Sequence, residues 1–351
     1  MELTNGILWS GRELITMKKR FKLLIGIALI LLVIIGCFLY ENSYDMLEKE
    51  VTIKTEQGTL VGYLALPKTE NKGVVIFVHG DGAQNATQDG GYKPLMERFA
   101  KHGFASISWN KLGVGGSSGD WLNQSMDDRA REVEEVIEWA KGQKTFNAEK
   151  IIIWGASQAG WVIPKVLKNR EDITASILVA PAINWDRQGQ YYTMMKMKRE
   201  DRTNQEISSE LNKDIEESEM IKTGISYEEY KQKTGDSSMS KERYTFVQKN
   251  ISSDATEDLK NINSLIFLIL AEKDENVDSE ETEKIYRGLL SEKQLNVKTI
   301  PKVGHSMINP ALANSELLIN LSAIIAPKDT LISTEYLDYC ESIVHRILNL
   351  K

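Results

Sequence analysis

Ser157 lies in a run of small residues that would allow its hydroxyl to act as a nucleophile. Residues 155–160 read GASQAG and stand between the apolar run 151–154 and a helical pattern. Small residues on both sides of a serine let a strand and a helix pack closely around a tight turn, which lifts the hydroxyl above the sheet. The helix N-terminus adds partial positive charge where an oxyanion would form. The pattern predicts a nucleophilic serine, with a serine that merely caps the helix as the alternative.

A serine nucleophile needs a general base, and the chain has four histidines: His79, His102, His305 and His345. His102 ends a helical pattern just before a glycine, a position that favours a cation near the negative end of the helix dipole. His345 lies in a pattern typical of a terminal helix. Neither competes well with His305, which follows the last predicted strand.

The arrangement around Ser157 resembles the nucleophile elbow, G-x-S-x-G, of the α/β-hydrolase family. Ala159 occupies the last small position of the motif, with Gly160 beside it. VGHS, which contains His305, resembles the catalytic histidine loop of the same family. The resemblance implies a catalytic triad of Ser157, Asp274 and His305, in the order along the chain that the family uses.

The triad acid follows from the same resemblance. The family often keeps this acid after a late strand as G-x-x-D-x-x-V-P, and Asp274 and Val277 match that pattern. Ala271 and Asp278 replace its glycine and proline. Asp186, just after the preceding strand, is the alternative acid, because some members of the family place it there.

The sequence VHGDG, which begins at residue 78, resembles the H-G-x-G oxyanion loop of the family. Gly80 and Gly82 would permit the backbone to turn its N–H groups toward the substrate oxygen. The resemblance implies the backbone N–H groups of Asp81 and Gln158 as oxyanion donors. His79 would then be a structural histidine that positions the loop.

A further segment narrows the resemblance to one branch of the family. Residues 109–120, WNKLGVGGSSGD, look like the D-x-R-G-x-G-x-S-x-G segment common in bacterial esterases and prolyl-oligopeptidase-like hydrolases. Its glycines do not make a phosphate loop, because no Gly-Lys-Ser/Thr ending is present. The resemblance to the family covers roughly residues 50–325.

The elements that would position these residues are strands alternating with helices. Two runs, 51–55 and 60–66, flank a turn-rich break and predict an N-terminal hairpin. Runs rich in Ile and Val, mostly without alternation, predict buried strands at 74–78, 104–109, 151–154, 175–180, 265–271 and 297–300. Between them lie helical patterns with one apolar stripe. Residues 51–351 are therefore predicted to form an α/β fold with a doubly wound, mostly parallel sheet.

The alternation breaks at residues 186–258, which hold 12 basic and 16 acidic residues among 73 and no proline. We expect a helical insertion over the edge of the sheet. Tyr and Met side chains cluster at 191–197. The insertion is either a solvated helical elaboration or a lid that contributes Met and Tyr to an apolar substrate pocket.

A membrane segment precedes this domain. Residues 23–40 contain no charged side chain, and 18 such residues are long enough to cross a bilayer core. Basic residues precede the segment and acidic residues follow it. The positive-inside rule then predicts a cytoplasmic segment at 1–22, a transmembrane helix at 23–40, a linker at 41–50 and an extracytoplasmic catalytic domain at the cell membrane.

A cleaved or lipidated leader is the competing interpretation. Met17 begins MKKRFK, as a secretory signal peptide does, which makes 23–40 its apolar region. The residues that end at Cys37 resemble the bacterial lipobox, although FLY follows where that motif usually turns polar. The resemblance implies a lipoprotein anchored at Cys37. Residues 1–16 have no evident role, so translation that starts at Met17 is a further expectation.

Composition excludes several other classes of protein. The formal net charge is −7, which argues against nucleic-acid binding because that function needs a basic surface. The two cysteines, Cys37 and Cys340, provide neither a disulfide framework nor a zinc-type spacing. The triad chemistry needs no metal and no organic cofactor.

These inferences predict a membrane-anchored, extracytoplasmic serine hydrolase that cleaves small-molecule or lipid acyl esters through an acyl-enzyme intermediate. Ester and amide hydrolysis use the same catalytic groups, so a serine peptidase or an acyltransferase remains open. A peptidase of the prolyl-oligopeptidase type usually carries a large propeller domain, which the ~50 residues before the sheet cannot supply. A binding protein with an inactive triad is the third alternative.

Overall fold

The computed structural model describes residues 11–144 and 147–349. These residues contain one sheet whose strands are β1 (Leu47–Lys54), β2 (Thr59–Leu66), β3 (Gly73–Val78), β4 (Phe104–Trp109), β5 (Ile151–Ala156), β6 (Ile173–Val179), β7 (Leu265–Ala271) and β8 (Leu295–Ile300). Their spatial order is β1-β2-β4-β3-β5-β6-β7-β8. The β1–β2 and β2–β4 pairs are antiparallel, and the pairs from β4 to β8 are parallel. The predicted mostly parallel sheet is confirmed.

Helices cover both faces of the sheet. In chain order they are α1 (Gly11–Glu41), α2 (Lys93–Lys101), α3 (Met126–Lys141), α4 (Ile163–Asn169), α5 (Trp185–Arg199), α6 (Asn204–Lys222), α7 (Tyr227–Thr234), α8 (Lys241–Asn250), α9 (Thr256–Leu259), α10 (Ser279–Leu289), α11 (Glu316–Ile325) and α12 (Thr334–Leu348). The buried side chains of α3, α4 and α10 pack in one core cluster, and those of α2 and α12 pack in another. The sheet is therefore doubly wound.

The central strands form because their sequences are apolar on both faces. Every residue of β3 and β4 is buried, and β5 and β7 are nearly so. A strand buried between two helical layers has no solvent face, which explains its continuous Ile and Val content.

The first strand is longer than the sequence pattern predicts. β1 begins at Leu47, so it takes up the end of the segment expected to be a linker, and it pairs with β2 from Leu47↔Leu66 to Lys54↔Thr59. Its residues from Leu47 to Glu50 are exposed. Charged, exposed residues on an edge strand carry no apolar signature, because edges are kept polar to prevent pairing with other chains.

The segment between β6 and β7 is helical. Helices α5 to α8 are capped at their N-termini by the side chains of Asn184, Thr203, Ser226 and Ser240. They enclose a small apolar cluster of their own, which contains Ile221, Tyr230, Tyr244, Val247 and Ile251. The insertion is thus held partly by its own core and partly by contacts with the rest of the domain.

Helix α1 contains an apolar stretch, Phe21–Glu41, that is long and apolar enough to cross a membrane by length and composition. A signal sequence near an N-terminus meets the same criterion. Most of its described side chains are exposed. Residues 1–10 of the predicted cytoplasmic segment lie outside the described residues, as does the side chain of Cys37, the alternative lipid attachment site.

Candidate active site

The predicted catalytic residues converge at the carboxyl edge of the parallel strands. His79 to Gly82 follow β3, Ser157 follows β5, Asp274 follows β7 and His305 follows β8. In open α/β sheets this edge is where ligands bind, because the loops that leave parallel strands meet there.

Ser157 is held in a backbone conformation that few residues adopt. Its φ angle is +55°, and it begins a 3₁₀ helix, Ser157–Trp161, that precedes α4. A non-glycine residue in the left-handed region is uncommon and marks a position that the surrounding structure constrains. The turn from β5 into this short helix is the sharp strand-to-helix turn that the sequence predicted.

The small residues around Ser157 are required by close packing. A Cβ atom on Gly155 would lie 2.5 Å from Cδ1 of Ile163 and 2.7 Å from the Cβ of Ala159. A Cβ atom on Gly160 would lie 2.3 Å from the carbonyl oxygen of Ala182. All three distances are shorter than real Cβ contacts, so a side chain at either glycine would force its neighbours to move. Gly160, next to Ala159, therefore allows the 3₁₀ helix to pack closely against the loop after β6.

Asp274 and His305 are paired. The Nδ1 atom of His305 lies 2.9 Å from Oδ2 and 3.1 Å from Oδ1 of Asp274. The carboxylate is nearly buried and also accepts the backbone N–H groups of Asn276 at 2.8 Å and Val277 at 2.9 Å. An acceptor at Nδ1 assigns the ring proton to that nitrogen, which leaves Nε2 free to accept a proton.

The hydroxyl of Ser157 is not hydrogen-bonded to the imidazole of His305 in this structure. Within residues 11–144 and 147–349, neither the Oγ of Ser157 nor the Nε2 of His305 makes a hydrogen bond. Catalytic hydrogen bonds often tighten only when substrate binds. The structure therefore joins the predicted base to its acid, and places the predicted nucleophile at the same edge of the sheet.

The alternative acid, Asp186, is hydrogen-bonded to residues of the insertion and not to the histidine. It lies in the first turn of α5, and its carboxylate accepts hydrogen bonds from the Oγ of Ser218 at 2.6 Å and from the Nζ of Lys222 at 2.5 Å. Both partners belong to α6. Asp186 thus fastens two helices of the insertion to each other, and the geometry favours Asp274 as the acid.

The two predicted oxyanion residues are linked through their side chains. The Nε2 atom of Gln158 donates to Oδ1 of Asp81 at 3.0 Å. Gln158 lies in the first turn of its 3₁₀ helix, where backbone N–H groups have no partner within the helix. A Cβ atom on Gly80 would lie 3.4 Å from the Cβ of Ser157, and Gly82 adopts a φ of +89° that favours glycine. The loop after β3 therefore lies directly against the turn that carries Ser157.

His79 is buried and hydrogen-bonded at both ring nitrogens. Its Nε2 lies 2.6 Å from the carbonyl oxygen of Trp109, and its Nδ1 lies 3.2 Å from the hydroxyl of Tyr92. The carbonyl can only accept, so Nε2 donates and Nδ1 accepts in a neutral ring. Burial, with the nearby charge of Lys111, lowers the pKa of His79 to about 3. A ring so occupied holds the loop in place and is not available as a base.

Two buried basic side chains support the site, and the sequence patterns did not single them out. Arg129 on α3 donates to the Oε1 of Gln158 and to the carbonyl oxygen of His79, both at 2.6 Å. Lys111 donates to the carbonyl oxygen of Gly80 at 2.6 Å, and burial holds its pKa well below the usual value. Arg129 lies among other Arg and Glu residues on an amphipathic helix, so no local pattern marks it.

The helical insertion contacts both halves of the site. Arg243 on α8 donates through Nη1 and Nη2 to the two carboxylate oxygens of Asp81, at 2.9 Å and 2.6 Å. Tyr191 on α5 donates its hydroxyl to the carbonyl oxygen of Asp274 at 2.9 Å. Burial opposes ionisation of Asp81, but hydrogen bonding and charge from Arg243 outweigh it and lower the pKa of Asp81.

A cavity of about 460 Å³ opens beside His305. It is lined by Lys273, Glu275, Asn276, Lys302, Gly304, His305, Ser306, Ile308, Pro310, Ala313 and Asn314. The Met and Tyr side chains of residues 191–197 do not line it. Across the part of the chain that the structure describes, no group of three or more His, Cys, Asp or Glu side chains is placed to hold a metal ion.

Comparison with known proteins defines the family. The model of the family described as serine aminopeptidase, S33, matches residues 69–310, well over half of the chain. The chain therefore belongs to this hydrolase family. No curated protein sequence matches the chain.

Solved structures with a similar fold include several hydrolases. The Pyrococcus furiosus esterase Pf2001 has a TM-score of 0.54 and 16% identity over 86% of this chain and 91% of its own. Est1E from Butyrivibrio proteoclasticus with ferulic acid bound has a TM-score of 0.54 and 15% identity over 85% and 97%. The α/β hydrolase GrgF from Penicillium sp. sh18 has a TM-score of 0.53 and 15% identity over 82% and 99%. These similarities confirm the predicted α/β-hydrolase fold.

Proposed function

We propose that this protein is a serine hydrolase that cleaves carboxylic (acyl) esters with Ser157 as nucleophile, His305 as general base and Asp274 as the triad acid. The observation that carries the proposal is the buried Asp274–His305 pair, which leaves Nε2 of the imidazole free at the same edge of the sheet as the serine turn. No other described histidine combines a buried carboxylate partner with a free ring nitrogen at that edge.

The reaction has two halves. His305 takes the hydroxyl proton of Ser157 as the serine oxygen attacks the acyl carbon, and the protonated imidazole then gives that proton to the departing alcohol. Water next attacks the acyl-enzyme ester, with His305 as base, and releases the carboxylic acid while the proton returns to the serine oxygen. Asp274 keeps the imidazole in the required tautomer and stabilises the imidazolium.

The oxyanion of each tetrahedral intermediate would be held by the backbone N–H groups of Asp81 and Gln158. One such donor is typically worth about 3 kcal/mol of activation free energy. The hydrogen bond between the two side chains supports this role, because it keeps the two backbone segments in a fixed relation. His79, Arg129 and Lys111 would act as positioning residues for the loop.

We also propose that the enzyme is anchored at the cell membrane by residues 23–40, with the catalytic domain outside. The apolar stretch of α1 and the basic residues before it support this topology. The alternative is a lipoprotein anchored at Cys37. The mass of the protein extracted from membranes distinguishes them, because a lipoprotein loses all residues before Cys37 and gains acyl chains.

A serine aminopeptidase is the second candidate function, and the description of the matching family favours it. Amide hydrolysis would use the same triad, since the serine attacks either kind of carbonyl. An acyltransferase would differ only in the group that attacks the acyl-enzyme.

The test is fluorophosphonate labelling of the full-length protein in detergent, together with hydrolysis of p-nitrophenyl esters of short and long acyl chains and of aminoacyl p-nitroanilides. We expect labelling and ester turnover that disappear in Ser157→Ala and persist in Ser342→Ala, which changes a serine on α12. Faster turnover of the anilides would identify a peptidase. A folded protein that does not react would be a binding protein with an inactive triad.

A further inference from the structure

Helix α11 has seven apolar residues among ten, and most of its described side chains are exposed. Leu317 is 67% exposed and Ile324 is 71% exposed, with Leu318 and Leu321 also exposed. None of its described side chains is buried. Exposed apolar residues in a contiguous group mark a contact surface, because a soluble surface rarely keeps such a group uncovered.

Helix α11 belongs to an excursion of the chain that leaves and rejoins the domain at one place. The backbone N–H of Asn309 donates to the carbonyl of Leu331, and the backbone N–H of Ser333 donates to the carbonyl of Met307, both at 2.9 Å. We call residues 310–330, which lie between these bonds, the arm. The arm is therefore tied at its base, and α11 is its outer part.

The arm returns beside the point where α1 meets the domain. Lys328 donates to the carbonyl oxygen of Ser43 at 2.6 Å and pairs with Glu97 at 2.7 Å. Its Nζ lies 4.8 Å from the centre of the Tyr44 ring. Since α1 ends at Glu41, the chain that emerges from it contacts the arm almost at once.

The distance from this contact to α11 is short. Lys328 lies three positions after Ile325, the last residue of α11, and extended chain spans at most about 11 Å over that length. Helix α11 has ten residues and is about 15 Å long, which is half of a bilayer core. It is therefore too short to cross a membrane, but it is long enough to lie along a membrane surface.

The arm also borders the candidate active site. The chain enters it five residues after His305, and Pro310, Ala313 and Asn314 of the arm line the cavity beside that histidine. A surface that binds α11 would therefore lie next to the opening of the cavity.

We propose that α11 lies in the plane of the outer membrane surface, with its leucines and isoleucines among the acyl chains, and that the cavity beside His305 receives acyl esters that reside in that membrane. The inference rests on the proposed anchoring by α1, which brings the bilayer to Ser43. Amphipathic helices at an interface bury their apolar face about 5–10 Å into the boundary between headgroups and acyl chains. A second copy of the chain is the competing occupant.

The test uses the full chain, with Cys37→Ala, in nanodiscs of phosphatidylcholine and phosphatidylglycerol. A polarity-sensitive fluorophore is attached to Leu317→Cys or Ile324→Cys on α11. Leu29→Cys on α1 reports the anchor, and Ile215→Cys on α6, which is 42% exposed, is the matched control outside the membrane. Cys340 is buried.

We expect a nitroxide on the lipid acyl chains, near the headgroup, to quench the α11 labels about twofold or more, as it would an interfacial residue, and to leave the Ile215→Cys label unquenched. A second nitroxide, near the bilayer centre, should quench the Leu29→Cys label. Quenching at Leu29→Cys alone would overturn this inference and retain the anchor. Quenching at none of the sites would overturn both. Labels on α11 that are shielded from water but not quenched, and that become exposed when each nanodisc holds one chain, would assign the surface to a second copy.

An activity measurement addresses the substrate. Leu317→Asn combined with Leu321→Asn should lower hydrolysis of a bilayer-resident acyl ester several-fold and leave hydrolysis of soluble p-nitrophenyl acetate unchanged. Ile215→Asn should change neither. Equal loss on both substrates would contradict a role in presenting membrane esters.

Discussion

Arg243 and Asp81 join the helical insertion to the predicted oxyanion loop through two parallel hydrogen bonds, at 2.9 Å and 2.6 Å. The pair connects residues 162 positions apart in the chain. Since Asp81 also accepts from Gln158, the insertion, the loop and the serine turn form one hydrogen-bonded chain. Movement of α8 away from the site would break that chain at its outermost bond.

Removal of this ion pair should affect activity more than stability. The Arg243 and Asp81 side chains are 33% and 43% exposed, so we expect Arg243→Ala to change the free energy of unfolding by less than about 1 kcal/mol. An unpaired carboxylate beside a developing oxyanion opposes its formation, and we expect kcat/KM to fall about tenfold. Ester turnover and urea unfolding in detergent measure the two effects. Lys241→Ala, which removes a pair confined to the insertion, is the control, and an equal loss there would contradict the role of Arg243.

The two candidate acids can be separated by substitution. Asp274→Asn keeps the shape of the side chain but removes the charge that fixes the tautomer of His305, and we expect kcat to fall about 10⁴-fold. Asp186→Asn should leave kcat within about threefold of the unchanged protein, because its partners Ser218 and Lys222 belong to the insertion. Pre-steady-state and steady-state turnover of a p-nitrophenyl ester measure kcat for each of the two variants. A larger loss in Asp186→Asn would reverse the assignment.

Arg129 should be one of the most important residues for stability. It is 5% exposed, and Arg129→Met would leave the Oε1 of Gln158 and the carbonyl of His79 without their donor. The loss of two charge-assisted hydrogen bonds from buried acceptors should lower the free energy of unfolding by about 3 kcal/mol. Arg131→Met on the same helix is the control, because that side chain is 57% exposed, and it should cost less than about 0.5 kcal/mol. Urea unfolding measures both changes, and an equal loss of stability in the two variants would contradict the role of the buried network.

His79 predicts loss of stability in weak acid. Its pKa is about 3 in the folded protein and near 6.5 when unfolded, so below pH 6.5 the unfolded chain binds a proton that the folded chain does not. Stability from this residue is therefore complete above pH 6.5 and is lost as the pH falls toward 3, at about 1.4 kcal/mol per pH unit. Between pH 6.5 and pH 5 the loss should be about 2 kcal/mol. Urea unfolding at these two pH values should show that the stability of His79→Gln depends less on pH. The same pH dependence in His79→Gln would contradict a neutral buried ring at His79.

The sequence predicted the strands and the serine turn because both depend on local patterns. Short, continuous Ile and Val runs between turn-forming residues favour strands buried on two faces, and GASQAG combines a turn with the small residues that close packing requires. The fold followed from the alternation of these runs with helices. The roles proposed for Ser157, Asp274 and His305 came from family motifs, and the Asp274–His305 pair is consistent with them.

The supporting network could not be predicted in this way. Arg129, Lys111 and Arg243 act through partners between 29 and 162 residues away, so no short window contains the relation. A buried arginine and a solvated arginine have the same sequence signature on a charged amphipathic helix. The prediction also began strand β1 too late, at residue 51. Its exposed edge residues, Leu47 to Glu50, resemble those of a linker.

The short connection between α1 and the domain sets how the enzyme would meet its substrate. Only Asn42 and Ser43 separate the end of α1 from Tyr44, and Met46 is already buried. An enzyme anchored in this way has no long tether and would stay at the membrane surface. It would encounter esters that reside in the membrane by lateral diffusion, so its rate on them would follow their number per unit area of its own membrane.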